Sequence, residues 1–256
     1  MKLEAWSASN IGLVRQSNQD AVGCFPELQL AIVADGMGGR TAGEVASRLA
    51  VEVIHDMLRA ARQPRRWWHS VFARRTATAR NDGDQLRAAI ELANRRIFEA
   101  GRQQSTEGAS MGTTVVVLLF ALDGGTACWA HVGDSRLYRL REQELALLTA
   151  DHTRYGEAYW NEHRIPVDLP HTNVLVRALG IDENVTVSTG NDTVRVGDVF
   201  LLCSDGVSGF VSAEVIRNTL RVPDGLAAAG DMLIHRALEA GGRDNASLVL
   251  VRIVAG

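Results

Sequence analysis

The chain has 256 residues, of which 46% are hydrophobic and 22% charged, and its formal net charge is −3. This is the make-up of one large domain, 1–256, with material for a sizeable core, and it excludes a disordered or fibrous chain. The charge balance gives no general attraction to nucleic acid, and no apolar run approaches the length of a membrane span.

The first ten residues, MKLEAWSASN, lack the apolar stretch of a signal peptide, so a cytoplasmic protein is expected. LQLAIVAD (28–35) reads as a strand. Residues 42–61 carry Val45, Leu49, Ile54 and Leu58 in helical rhythm, and residues 84–103 repeat it with Leu86, Ile90, Ala93 and Ile97. The connection between them, an insertion over 64–83, mixes arginines with Trp67, Trp68 and Phe72. It reads as a helix extension with its aromatics packed and its arginines solvated, or else as a patch for a partner or membrane surface.

TTVVVLLFAL (113–122), TACWAHVGDSRLYRLR (126–141), LALLTA (145–150), DTVRVGD (192–198), VFLLCSD (199–205) and SLVLVRIV (247–254) read as further strands. A flap-like segment over 151–173 holds His152, His163 and His171 at separations that match no usual zinc spacing, so they are expected to be solvated. Ser212 is a good N-cap for a helix through EVIRNTL, and a last helix covers about 225–240. Cys128 and Cys203 lie inside apolar runs and, like Cys24, have no CxxC partner, which points to free thiols. Strands in hairpin-like succession interrupted by paired helices give an α+β fold with layered antiparallel sheets.

Four aspartates sit at the ends of these runs. Asp35 opens GMGG, Asp134 precedes SR, Asp205 opens GVSG, and Asp244 lies in GGRDN just before the last strand. Each alone has a plain reading, since Asp-Gly is a common turn and Asp-Ser a common loop. Together, four carboxylates converging on one point would repel unless cations sat between them. Oxygen ligands without His or Cys favour Mg²⁺ or Mn²⁺, and the chain reads as a metal-dependent hydrolase.

The blocks IGLVRQSNQDA, ADGMGG, SMGTT, VGDSRLYRL, NVLVRALG, CSDGVSG and GRDNASLVLV resemble, in order, the motifs of bacterial metal-dependent protein serine/threonine phosphatases of type 2C. The resemblance implies a central β-sandwich flanked by helix pairs, with a metal cleft at one end. It implies two Mn²⁺ or Mg²⁺ ions held by Asp35, the Gly36 carbonyl, Asp205 and Asp244, and a weaker third ion held by Asp134 with Asp205. Arg15 matches the family's phosphate-binding arginine, whose fork suits phosphate oxygens; its plain reading is an exposed strand arginine. Asp20 matches a carboxylate that orients metal-bound water, with Asn18 expected on the same strand face and Gln19, where the family often has Glu, pointing away. Thr113 and Thr114 would support the site, and glycines 36, 38 and 39 would let the backbone turn tightly beneath the ions. Met37 replaces the His of animal relatives and cannot donate a proton.

The implied activity is hydrolysis of phosphoserine or phosphothreonine in proteins, opposing a bacterial kinase, by a monomer. The flap and the insertion resemble stand-alone phosphatases that accompany type VI secretion systems. Two other readings stay open: a weakly active module that binds phosphorylated partners, and a phosphatase of a small metabolite.

Overall fold

A computed structural model of the chain describes residues 1–39, 41–62, 82–104, 111–121, 125–160, 165–172, 174–221 and 225–256. Most of the 64–83 insertion, with Trp67, Trp68 and Phe72, lies outside the described residues, as does His163. In chain order the elements are β1 (Lys2–Asn10), β2 (Asp20–Phe25), β3 (Leu30–Met37), α1 (Ala42–Arg62), α2 (Asp82–Gln104), β4 (Gly112–Thr113), β5 (Val115–Phe120), β6 (Thr126–Val132), β7 (Arg136–Arg141) and β8 (Glu144–Leu147). There follow β9 (Ser188–Thr193), β10 (Val199–Cys203), α3 (Asp205–Ser208), α4 (Ala213–Leu220), α5 (Leu226–Glu239) and β11 (Ala246–Val254).

Two antiparallel sheets face each other. One runs β1-β11-β10-β7-β8, and the other β2-β3-β5-β6-β9 with β4 added to β3. The central strands are apolar throughout because both their faces are buried. On β3, Leu30, Ile32 and Ala34 pack towards α1 and α2, whereas Ala31 and Val33 face the other sheet. On β11, Leu248 and Leu250 pack towards α4 and α5, and Val249, Val251 and Ile253 face inward. Three cores result, one between the sheets and one under each helix pair. The expected α-β-β-α sandwich is what forms.

The helices follow their periodicity. Leu86, Ile90, Ala93 and Ile97 are fully buried, as are Ile54 and Leu58. Val45 is not on that face; Ala46 and Ala50 fill it and Val45 is exposed. Ser212 caps α4 by accepting the Val215 N–H at 3.3 Å.

Two strand expectations need correction, and two strands were not expected. The stretch 126–141 is two strands in different sheets, because the chain crosses between sheets at 133–135. DTVRVGD is mostly loop; the strand there is β9, which ends at Thr193. β1 and β2 carry too few consecutive apolar residues to announce themselves. β1 is an edge strand whose Trp6 packs under α5, where Gly230 makes room: a Cβ there would lie 1.8 Å from the indole.

Candidate metal centre

Register brings the aspartates to one end of the sandwich. β3 and β6 both run towards it beside the start of β5, and Asp20 at the start of β2 pairs with Asp35. In the other sheet β10 ends there, next to the start of β11, so Asp205 and Asp244 flank the same edge. Alternation along β3 continues the inward face of Ala31 and Val33 through Asp35 and Met37. Thus Asp35 points into the mouth between the sheets.

The close approach of β3 to α1 requires Gly36, where a Cβ would lie 2.1 Å from the Gly43 carbonyl oxygen and 2.5 Å from that of Gln19. Gly38 adopts φ +142°. Gly39 faces open space and nothing there requires a glycine. Thr113 and Thr114 support the site as expected: the Thr113 hydroxyl donates to the Asp35 carbonyl at 2.9 Å, and the Asp35 N–H donates to the Thr114 hydroxyl at 3.1 Å.

Charge is the dominant property of this end. Burial, and then the neighbouring Asp20, Asp205 and Asp134, hold the Asp35 carboxyl well above the usual range. Burial and Asp205 push Asp134 up to about 8, and burial and Asp244 raise Asp205. Asp20 is pushed up to about 6 by burial, against the pull of hydrogen bonds from Ser247 and Ser204. Asp35 and Asp205 each hold the other's carboxyl in a crowded, negative surrounding that disfavours two full charges. The buried oxygens Asp20 Oδ1 and Asp205 Oδ1 have no partner. Among the described residues no three His, Cys, Asp or Glu side chains form a ready-made cage for an ion. The donor set nevertheless suits hard divalent cations: carboxylates only, crowded, partly unpartnered, and faced by a guanidinium at the rim.

That guanidinium is Arg15, whose Nη2 donates to Asp244 Oδ2 at 2.7 Å with the arginine side chain 53% exposed. It precedes β2 and so is not the strand arginine of the plain reading; Asn18 also lies before the strand. Asn18 instead donates to Ser9 Oγ at 2.7 Å. Gln19 contributes through its backbone, its carbonyl accepting from the Gly36 N–H at 3.1 Å and the Ser47 hydroxyl at 2.5 Å.

A family model described as Protein phosphatase 2C matches residues 14–250. The chain belongs to the protein phosphatase 2C family. Among curated relatives, the serine/threonine protein phosphatase PstP of Mycobacterium tuberculosis is 35% identical over 96% of this chain; the chain spans only 44% of that protein's length. The serine/threonine phosphatase stp of Listeria monocytogenes is 34% identical over 94% of this chain and 92% of its own. Among solved structures, that of M. tuberculosis PstP/Ppp covers all of both chains at 33% identity with TM-score 0.80. PppA, described as a key regulatory component of the type VI secretion system in Pseudomonas aeruginosa, covers 98% of both at 32% identity with TM-score 0.79. The PstP catalytic domain with two manganese ions covers 99% of both at 34% identity with TM-score 0.78.

Several residues of this phosphatase-family site gave little signal in the sequence. Asn245 fastens the N-terminal loop: its Oδ1 accepts the Gln19 N–H at 2.8 Å, and its Nδ2 donates to the Ile11 and Ser17 carbonyls at 2.9 and 3.0 Å. Its position after Asp244 was visible, but a single Asn beside an Asp suggests only a turn. The two described flap histidines, His152 and His171, are not solvated. His152 is fully buried, accepts the Gly133 N–H on Nδ1 at 3.1 Å and stacks on His131 at 4.5 Å. Burial lowers His152 to about 2 and His171 to about 3, so both are neutral. Beneath them Arg136 grips Asp151 with two bonds of 2.9 and 2.8 Å, both side chains buried. Cys128 and Cys203 are buried free thiols, as expected.

Proposed function

We propose that this protein is a divalent-metal-dependent phosphatase of phosphoserine and phosphothreonine in proteins, opposing a bacterial serine/threonine kinase in the cytoplasm as a monomer. The observation that carries the reading is the set of five aspartates at one end of the sandwich, four of whose carboxyls are raised by burial and then by their neighbours' charge. Family membership and likeness to PstP, stp and PppA support it. Among the described residues no helix is long and apolar enough to cross a membrane.

Asp35, the Gly36 carbonyl, Asp205 and Asp244 would hold two ions, Mn²⁺ or Mg²⁺, and Asp134 with Asp205 a weaker third. Bound there, the ions supply an activated water and neutralise charge on the phosphoryl group. The chain's own residues do the rest. Asp20, held by Ser204 at 2.8 Å, keeps one unpartnered oxygen available to orient a water. Arg15 sits at the rim, where its fork can leave Asp244 for substrate phosphate. Met37 has no proton to give the leaving alkoxide, so a metal-bound water or another group would have to supply it.

The likeness to PppA and that to PstP are almost equal and favour no one signalling pathway. The test compares turnover of phosphothreonine peptides, phosphorylated metabolites and a small aryl phosphate in the presence of Mn²⁺. Peptides turned over well above metabolites support the reading. Preference for a metabolite would redirect it, and binding of phosphopeptides without turnover of any substrate would make the protein a recognition module.

A further inference from the structure

Beside Asp35 the structure holds a cavity of about 450 Å³ that the hydrolytic machinery does not use. Its lining is mixed: Met37, Val176 and Ile181 form an apolar side, and Arg177, Asp182 and Asn184 a polar one. Val174, Val176 and Ile181 are 67%, 46% and 41% exposed, all within one eight-residue segment. Apolar side chains gathered beside a site and left open to water mark a binding surface more often than a fold requirement.

The wall is fixed. Leu175 bridges to Thr153 and Leu179 to Thr113, so residues 175–179 are tied to the flap at one end and to β4 at the other. Arg177 does not fill the space, because its guanidinium lies over the Trp160 ring at 3.8 Å. The floor is Met37, on the same face of β3 as Asp35. Two residues along a strand are about 6.6–7 Å apart, which is also the spacing of alternate side chains in an extended peptide.

On the reading of the protein as a protein phosphatase, we propose that this cavity is a specificity subsite for an apolar side chain two residues from the phosphorylated one. An extended substrate with its phosphate at Asp35 would place that side chain over Met37, between Ile181 and Val176. A Leu- or Met-sized group suits the apolar side of the lining, where Met37, Val176 and Ile181 lie.

The experiment uses the full chain with Mn²⁺ and matched phosphothreonine peptides carrying Leu, Asn or Asp two residues before or two residues after the phosphothreonine. The readout is the ratio of kcat/KM for the Leu peptide over the Asn peptide, taken within one enzyme so that a general loss of activity cancels. Wild type should prefer Leu about tenfold at one of the two positions, the discrimination an apolar pocket ordinarily gives. Ile181→Asn and Val176→Asn, both at exposed positions that tolerate substitution, should bring that ratio to about one. Equal turnover of all peptides by wild type overturns the subsite while leaving the phosphatase reading standing. A Leu preference that survives both substitutions also overturns it. Failure to cleave any peptide removes the phosphatase reading and the subsite with it.

Discussion

Ser204 donates its hydroxyl to Asp20 Oδ2 at 2.8 Å, tying the start of β2 to the end of β10 across the two sheets. The same hydroxyl accepts the Ser247 N–H at 3.0 Å, and Ser204 is fully buried. One side chain therefore joins three strand ends around the carboxylates. Ser204→Ala should cost about 1–3 kcal/mol of stability, since it strands a buried N–H and a buried carboxylate oxygen. Urea unfolding with and without Mn²⁺ checks this, and a loss within error of zero would mean that water replaces the hydroxyl at no cost.

Protonation gives the second prediction. Asp20 rises to about 6 and Asp134 to about 8, against a value near 4 in an unfolded chain. Between these limits the folded protein without ions binds protons that the unfolded chain has released, so its stability falls as pH climbs from about 4 to about 8. Bound cations replace those protons. The increase in Tm caused by Mn²⁺ should therefore be larger at pH 8 than at pH 5. An increase independent of pH would separate ion binding from these carboxyls.

The third prediction divides the ligands. Asp35→Asn and Asp205→Asn should lose most turnover and bound metal, as each removes charge from the two principal ions. Asp134→Asn should keep those two ions and lose turnover through the weaker one. Metal content by elemental analysis beside kcat decides, and an Asp134→Asn protein that binds no metal at all would refute the division.

Arg15 supplies the fourth. If it leaves Asp244 to clamp phosphate, Arg15→Ala should lower kcat/KM for a small aryl phosphate by about one to two decades, the worth of a charge-assisted bond of roughly 1.5–3 kcal/mol. Arg15→Lys should recover part of this, because it keeps the charge without the fork. A merely structural arginine would instead lower Tm and leave kinetics near wild type.

Asp151 supplies the fifth. Its substitution by Asn leaves the buried Arg136 guanidinium without a counter-charge, which should cost about 3–5 kcal/mol in urea unfolding. Arg136 would keep its bonds to the Leu169 carbonyl and the Tyr138 hydroxyl and could donate to the asparagine oxygen, but the charge of Asp151 would be gone. A loss below about 1 kcal/mol would show the pair to be solvated.

The legible parts of this molecule are those where burial is two-sided and the pattern therefore loud. β3, β5, β10 and β11 and the buried faces of α1 and α2 could be read directly, and Asp35, Asp205 and Asp244 stood out because each punctuates such a run. Less legible was whatever depends on partners far away in sequence. β1 looks polar because it is an edge, and Trp6 makes sense only once Gly230 is seen beneath it. His152 reads as a loop residue because its burial comes from His131, Gly133 and Ser188, which local sequence does not reveal. Asn245 joins segments more than two hundred residues apart, and its type alone carries no such message.

The central claim is that hydrolysis runs on cations held by these aspartates. The direct measurement is turnover of a phosphothreonine peptide by protein stripped with chelator, its metal content verified by elemental analysis, and then titrated with Mn²⁺ or Mg²⁺. The account predicts no turnover in the stripped protein and recovery on adding either ion, with Asp35→Asn failing to recover at any concentration. Full turnover by protein verified to contain no metal would contradict it.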